Sequence, residues 1–255
     1  MLVAVLDDSG SRDDKGMLHG GLVLSEQDFL TLEELWQTGV LDKHNLREFH
    51  AREIRGIIRS RETLNALEAD IVQVLLRVRP RFFARGLEYH ALAKAAEENE
   101  WFFDPNVTPD CFCIEQCLHT ISRLVNEKAP DDSFILFYDE LRPHLVGPVA
   151  TLLETYRRDV NGFRGGRFLG ALPASRKQML SLQGADFLAN AYFRELRRAL
   201  TPEPWGTSPL LLRLLGEPVH RDFAGYYDSD AFEIVGRAFQ RGGQWLYSIR
   251  PNSAP

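Results

Sequence analysis

The strongest constraint on the fold is a pair of apolar runs near the start of the chain. Leu2–Leu6 and Met17–Leu24 are continuous apolar stretches, and such stretches are typical of buried strands. Between them lies the short polar sequence SRDDKG, which suits the turn of a hairpin. The two runs are therefore predicted to form antiparallel neighbours in a sheet.

The rest of the chain alternates between helical and strand-like patterns. Ser25–Asp28 is predicted to cap a helix, and helical spacing continues over 52–76. Further strands are predicted at 81–89 (an outer strand), 133–138 and 167–172, and further helices at 110–125, 143–156 and 182–200. This order predicts an α/β fold with a mixed five-stranded sheet, in which antiparallel hairpin strands and parallel strands are flanked by helices. We expect one domain over 1–200 with a helical insertion at about 40–80, and a helical C-terminal extension over 201–255 packed on the same domain.

Composition excludes several classes of protein. Of the 255 residues, 44% are hydrophobic and 26% charged, which is ordinary for a globular protein. No apolar run approaches the roughly 18–20 residues that span a bilayer, so no membrane partner is expected. Three cysteines and the lack of a secretory pattern predict a reducing, cytoplasmic location. The net charge of −6 opposes a broad nucleic-acid surface but is compatible with a confined basic groove.

Two predicted strands end in pairs of acids. Asp7 and Asp8 follow the first strand, and Asp139 and Glu140 follow the strand SFILFY. Side chains at strand ends of α/β sheets converge on ligands, and neighbouring carboxylates repel each other unless a cation neutralises them. Mg²⁺ or Mn²⁺ is the natural cation for oxygen ligands. Taken alone, however, either pair is equally compatible with an ordinary turn, and strand alternation points Asp8 away from Asp7.

A third acid lies on the predicted helix over 182–200. Its apolar stripe consists of Leu182, Ala185, Ala189, Tyr192 and Leu196. Gln183, Asp186 and Asn190 form a polar stripe beside it, and Asp186 is the member nearest the apolar stripe. Asp186 is therefore predicted to lie along the sheet, where small neighbours allow a close approach, although a solvated helix face has the same pattern.

Four short motifs carry a resemblance to a known family. DDSG, FHARE, YDE and SLQGADFLA occur in this order and resemble the bacterial and phage family called domain of unknown function 3800. In that family the first strand ends in Asp-Glu-Ser-Gly, a later strand ends in Asp, and a C-terminal helix carries Gln-x-x-Asp. The resemblance spans about 2–198, and the chain has Asp8 where the family usually has Glu.

The resemblance implies a ribonuclease H-like fold and a divalent-metal site. It places metal ligands at Asp7, Asp139 and Asp186, and it leaves the fourth acid open between Asp8 and Glu115. Two further candidates are Gln183, which could orient a water or an acidic ligand, and His50, a proton shuttle or phosphate contact. The implied activity is hydrolysis of phosphodiester bonds in DNA or RNA with Mg²⁺ or Mn²⁺, in phage defence or mobile-element biology.

Other interpretations remain open from the residues alone. The chain could be a catalytically inactive nucleic-acid- or protein-binding module of the same fold, and a lysine or arginine between the three carboxylates would count against a metal site. His50 could serve only as a satisfied helix-start residue. The cysteines of CFCIEQCLH favour buried apolar positions over a zinc site. Apolar segments in the C-terminal extension could support a homodimer.

Overall fold

The computed structural model describes residues 1–11, 15–98, 108–129, 131–158, 167–200 and 224–227. The strands are β1 (Leu2–Ser11), β2 (Gly16–Ser25), β3 (Arg81–Glu88), β4 (Phe134–Asp139), β5 (Phe168–Ala174) and β6 (Ala224–Tyr227). The helices are α1 (Glu26–Trp36), α2 (Ile54–Ile57), α3 (Arg61–Val78), α4 (Tyr89–Glu98), α5 (Pro109–Lys128), α6 (Pro143–Arg158) and α7 (Ser181–Leu200). A π-helical turn, Gln37–Asp42, extends α1. None of the described helices has the length and apolarity that crossing a membrane requires.

The strands form one mixed sheet in the order β5-β4-β1-β2-β3-β6. β1 and β2 are the predicted antiparallel hairpin, and β3 is antiparallel to β2. β4 is parallel to both β1 and β5. The predicted α/β fold, with antiparallel and parallel strands flanked by helices, is therefore confirmed.

The described sheet contains one strand more than the sequence patterns indicate. Ala224–Tyr227 forms β6 and pairs in parallel with β3, with Ala224 opposite Ala84. The prediction of an outer third strand is therefore wrong, because β3 has partners on both sides. β6 also lies within the extension predicted to be helical, while the rest of 201–255 lies outside the described residues. Pairing with a free strand edge decides the conformation of this segment, and local periodicity does not report such pairing.

The helical pattern over 52–76 divides into two helices. α2 ends at Ile58, which has an extended backbone (φ −95°, ψ 104°). A new helix begins after Ser60, whose side chain accepts a hydrogen bond from the backbone N–H of Thr63 at 3.3 Å. Because α2 has only four residues, most of the chain between Leu46 and Ser60 is irregular.

Helices cover both faces of the sheet. α1, α3 and α7 pack on one face, and α4, α5 and α6 pack on the other. α7 lies against β1, where Leu182 and Ala185 contact Val3 and Val5. A Cβ atom on Gly184 would lie 3.2 Å from the Trp36 ring, so a small residue is needed there. The first turns of α7 therefore pack closely against α1 and against Val3 and Val5 of β1.

Candidate functional site

The structure brings together the three acids that the sequence analysis singled out. β1 and β4 run in parallel with Leu6 opposite Tyr138, so Asp7 and Asp139 are the next residues of neighbouring strands. Asp7 continues the face of β1 that packs on α7, and Asp186 projects from α7 toward the same place. Asp7 and Asp186 are each only 4% exposed. We call Asp7, Asp8, Asp139 and Asp186 the acidic cluster.

The DDSG motif does not form the turn that its composition permits. β1 continues through Ser11, with Asp7 opposite Gly20 and Ser9 opposite Leu18. Ser9 accepts a hydrogen bond from the side-chain amide of Asn190 on α7 at 3.4 Å. The two aspartates are thus held in a strand within the sheet, where their positions are set by backbone pairing.

Burial and repulsion between carboxylates raise the pKa values of Asp7, Asp139 and Asp186. Desolvation is the largest cause for Asp7, whose pKa lies well above its usual value, and the charge of Asp186 raises it further. Desolvation raises the pKa of Asp139 to about 6, with a contribution from Asp8. Burial also raises the pKa of Asp186. Near neutral pH, the carboxylates of the cluster therefore have too little positive charge beside them to compensate their own.

Asp8 supplies the fourth carboxylate. Its register opposite His19 places it on the other side of β1 from Asp7, as alternation predicts. Even so, its charge raises the pKa values of Asp7, Asp139 and Asp186, and it lines the same cavity as Asp7. Glu115 is buried in α5, which packs on the face of the sheet opposite α7. Of the two acids left open, Asp8 therefore lies at the cavity and Glu115 lies on the other face of the sheet.

Two arginines lie among these acids. A guanidinium nitrogen of Arg176 is 2.8 Å from Asp139 Oδ2, and its other terminal nitrogen is 3.6 Å from Asp186 Oδ2. Arg52 donates a hydrogen bond to the carbonyl oxygen of Gly10 at 2.9 Å, and its charge lowers the pKa of Asp186. An arginine therefore stands between two of the three carboxylates, which is the arrangement that counts against a preformed metal site.

The side chains as they stand do not form a metal cage. In the described part of the chain, no three or more His, Cys, Asp or Glu side chains are arranged to hold a metal ion. One carboxylate oxygen nevertheless lacks compensation: Asp7 Oδ1 accepts the backbone N–H of Asp8 at 2.7 Å, whereas Asp7 Oδ2 is buried without a hydrogen-bond partner. The donor set fits a hard divalent cation in chemistry, but Arg176 occupies part of the space that such a cation would need.

The unpartnered oxygen lies beside a small polar cavity of about 60 Å³. The cavity is lined by Asp7, Asp8, Ser9, His50, Arg52, Arg176, Asp186 and Asn190. At roughly 30 Å³ per water molecule, it has room for about two waters. Asp139 is connected to these lining residues through its ion pair with Arg176.

Gln183 acts as a clamp and does not line the cavity. Its side chain is fully buried, and its Oε1 accepts hydrogen bonds from Trp36 Nε1 at 3.0 Å and from the backbone N–H of Phe49 at 2.9 Å. Its Nε2 donates to the carbonyl oxygen of Arg176 at 2.9 Å. The amide therefore fixes the loop that carries Arg176 and the segment that carries His50.

His50 does reach the cavity. Its side chain is 27% exposed, and Nδ1 lies 3.8 Å from a carboxylate oxygen of Glu53. The next residue, Ala51, donates its backbone N–H to Asp186 Oδ2 at 2.7 Å. This bond and the one from Phe49 to Gln183 explain why the FHARE motif belongs to the site: the motif is tied to α7 at two points.

Arg52 is the site residue that sequence reasoning missed. It lies within FHARE, so the motif itself was the available signal. The three cysteines, by contrast, take no part, since all of them are free and buried in α5 on the other face of the sheet. The prediction that these cysteines occupy buried positions is thereby confirmed.

Comparison with known proteins finds no family model and no curated protein that matches this chain. The resemblance to domain of unknown function 3800 and the ribonuclease H-like assignment therefore stay predictions.

Proposed function

We propose that the acidic cluster binds a divalent cation, Mg²⁺ or Mn²⁺, and that the protein is a metal-dependent hydrolase of phosphodiester bonds in nucleic acid. The observation that carries the proposal is the buried Asp7 Oδ2, which has no hydrogen-bond partner and lies within a cluster of carboxylates of raised pKa. A buried carboxylate without compensation is costly unless it is protonated or bound to a cation.

The charges of the cluster favour a cation. The cluster contains four carboxylates against the two guanidinium groups of Arg52 and Arg176, so the carboxylates outnumber their positive partners. Asp7, Asp139 and Asp186 are the residues that would hold the cation, because β1, β4 and α7 bring them to the same place.

The proposal requires the ion pair between Arg176 and Asp139 to open. When bound, the cation would lower the pKa of a water and stabilise the leaving oxygen in phosphodiester hydrolysis. The side chains of Arg176, Arg52 and His50 border the same cavity, and the released guanidinium of Arg176 is suited to bidentate contact with a phosphate.

A second candidate is a metal-free nucleic-acid- or protein-binding module of the same fold. The 2.8 Å ion pair between Arg176 and Asp139 favours it, because a permanent positive charge already compensates one carboxylate. In this case the cluster would serve only to orient Arg176 and Arg52 toward an anionic ligand.

Titration calorimetry with Mg²⁺ and Mn²⁺ separates the two candidates. We expect wild-type protein to bind Mn²⁺, Asp7→Asn to lose that binding, and Asp131→Asn, an exposed acid outside the site, to retain it. Labelled single- and double-stranded DNA and RNA should then be cleaved by wild type with metal and left intact by Asp7→Asn. Cleavage that survives Asp7→Asn contradicts the site assignment, and wild type that neither binds metal nor cleaves establishes the binding module.

A further inference from the structure

The segment 47–61, which reaches the cavity at His50 and Arg52, concentrates positive charge. It contains five arginines, all exposed, against the two glutamates Glu48 and Glu53. The arginines are Arg47, Arg52, Arg55, Arg59 and Arg61. The whole chain carries a net charge of −6, so this local excess of positive charge runs against the composition of the protein.

The part of the segment from Phe49 to Arg52 is fixed relative to the cavity. Phe49 and Ala51 donate backbone hydrogen bonds to Gln183 and Asp186 on α7, and Arg52 donates to Gly10 at the end of β1. The arginine farthest along the chain from Arg52 follows it by nine residues, and a chain extends at most about 3.3–3.6 Å per residue. All five arginines therefore lie within roughly 32 Å of the cavity along the chain.

Most of these arginines form no ion pair among the described residues. Arg55 lies 3.8 Å from Glu68, but Arg47, Arg59 and Arg61 have no acidic partner within ion-pair distance in the described residues. Arg61 is the first residue of α3 and Arg59 immediately precedes its cap. Positive charge at a helix N terminus opposes the helix dipole, so these two side chains do not stabilise the helix beside them.

We infer that 47–61 is a binding track for the phosphodiester backbone of a polynucleotide strand, which it holds across the cavity. This inference rests on the proposed function. It specifies that the substrate is a polynucleotide strand that extends beyond the scissile bond. Ligand pockets for small molecules usually measure about 300–1,000 Å³. The cavity of about 60 Å³ cannot enclose a nucleotide, so a substrate must lie on the surface around it.

Arginine chemistry supports this choice of ligand. A guanidinium binds phosphate oxygens in pairs and remains charged at all physiological pH values. Several such groups beside a site contact successive phosphates, and each phosphate neutralised adds to the salt dependence of binding. A mononucleotide would engage only the groups at the cavity and leave Arg47, Arg59 and Arg61 unused.

The test is fluorescence anisotropy with labelled oligonucleotides of about 20 nucleotides, longer than common single-strand site sizes. Single-stranded DNA, single-stranded RNA and duplexes are titrated in EDTA, so that neither metal binding nor cleavage contributes. The test variant is Arg47→Gln/Arg59→Gln/Arg61→Gln. The matched control is Arg77→Gln/Arg123→Gln/Arg157→Gln, which removes the same charge from exposed helix positions elsewhere.

We expect the test variant to bind at least about tenfold more weakly than wild type and the control to bind as wild type does. Between about 50 and 200 mM salt, the logarithm of the association constant decreases with the logarithm of the salt concentration. For the test variant this dependence should be shallower by about two in slope, because each of the three lost contacts with a single strand contributes about 0.7. Equal binding by both triple variants overturns the inference. So does wild-type protein that binds none of the oligonucleotides at low salt.

A small diester keeps this test independent of the proposed function. Hydrolysis of bis(p-nitrophenyl) phosphate with Mn²⁺ reports the acidic cluster without the strand contacts proposed for Arg47, Arg59 and Arg61, because this substrate carries a single phosphate. If that activity needs Asp7 while the triple variants bind strands equally, only the track is wrong. If strand binding depends on the track and no diester is hydrolysed, the binding track stands and the hydrolase proposal fails.

Discussion

The guanidinium of Arg176 lies 2.8 Å from a carboxylate oxygen of Asp139 and 3.6 Å from one of Asp186, so one side chain links the end of β4 to α7. Arginine stays protonated in proteins and acts here as a permanent counter-ion. A divalent cation and this guanidinium need the same carboxylate oxygens. Metal binding and the Arg176 ion pairs should therefore compete.

Replacing Arg176 tests this competition directly. In EDTA, we expect Arg176→Gln to lower stability by about 2 kcal/mol, or about 4–8 °C in Tm, because buried carboxylates lose their counter-ion. The same variant should bind Mn²⁺ about tenfold more tightly than wild type, and saturating Mn²⁺ should restore its Tm. Lys177→Gln, at the next residue and 77% exposed, is the control and should behave as wild type in calorimetry and thermal unfolding. Unchanged Tm and metal affinity in Arg176→Gln would show that no competition exists.

The raised carboxyl pKa values predict a definite pH dependence of stability. The pKa of Asp139 is about 6 in the folded protein against a usual value of 3.8, so between those values the folded state binds more protons than the unfolded state. Stability therefore falls as the pH rises through this window, and Asp7, with its pKa well above the usual value, extends the fall to higher pH. In EDTA, we expect the Tm of wild type to be higher near pH 5 than near pH 8.

The variant Asp7→Asn isolates this effect. Removing the ionisable group should raise the Tm near pH 8 by about 2–4 °C, since about 1 kcal/mol of charge repulsion is relieved, and should flatten the pH profile. Asp131→Asn changes one exposed acid and should leave the profile unchanged. A wild-type profile that rises with pH over this range would contradict the assignment of raised pKa values.

Gln183 should be important for stability although it does not line the cavity. Gln183→Ala leaves the Trp36 indole N–H, the backbone N–H of Phe49 and the carbonyl oxygen of Arg176 without partners. We expect a loss of about 3 kcal/mol in urea unfolding, since each buried group left unsatisfied costs about 1–3 kcal/mol and water relieves part of this. Gln178→Ala, at an exposed position of the preceding turn, should change stability by less than about 0.5 kcal/mol. Similar results for the two variants would refute the role of Gln183 as a clamp.

Gly21 permits the close pairing of the hairpin strands. A Cβ atom at this position would overlap the carbonyl group of Val5 in β1, and it would also lie 3.0 Å from the Phe83 ring. Gly21→Ala should therefore destabilise the protein by at least about 3 kcal/mol, because two paired strands must separate. A Cβ atom at Gly56 would have no neighbour within 4 Å, so Gly56→Ala should be neutral or slightly stabilising in the same measurement. Wild-type stability in Gly21→Ala would show that β1 and β2 can shift apart at little cost.

Local patterns were sufficient for most of the elements and for the convergence of three acids. The hairpin of β1 and β2 follows from two apolar runs and a polar turn, and α7 follows from one amphipathic repeat. Asp7 and Asp139 meet because both follow apolar strand residues, and the ends of parallel strands lie at one edge of a sheet. Local patterns fail for DDSG, whose turn-forming residues pair with β2 as part of a strand, and for 224–227, which pairs with β3 although the extension is predicted to be helical.

The sequence by itself determined the α/β class, the position of Asp139 at the end of β4, and the buried side of α7 that carries Asp186, since these depend on the periods of strands and helices. Tertiary structure alone decided that β6 covers β3, that Arg176 stands between Asp139 and Asp186, and that 47–61 is tied to α7 beside the cavity. The strand pairing joins residues far apart in the chain, and the contacts of Arg176 and of 47–61 each depend on single side chains or backbone N–H groups. A periodic sequence pattern does not predict such contacts, because they depend on how the helices and strands pack once they have formed.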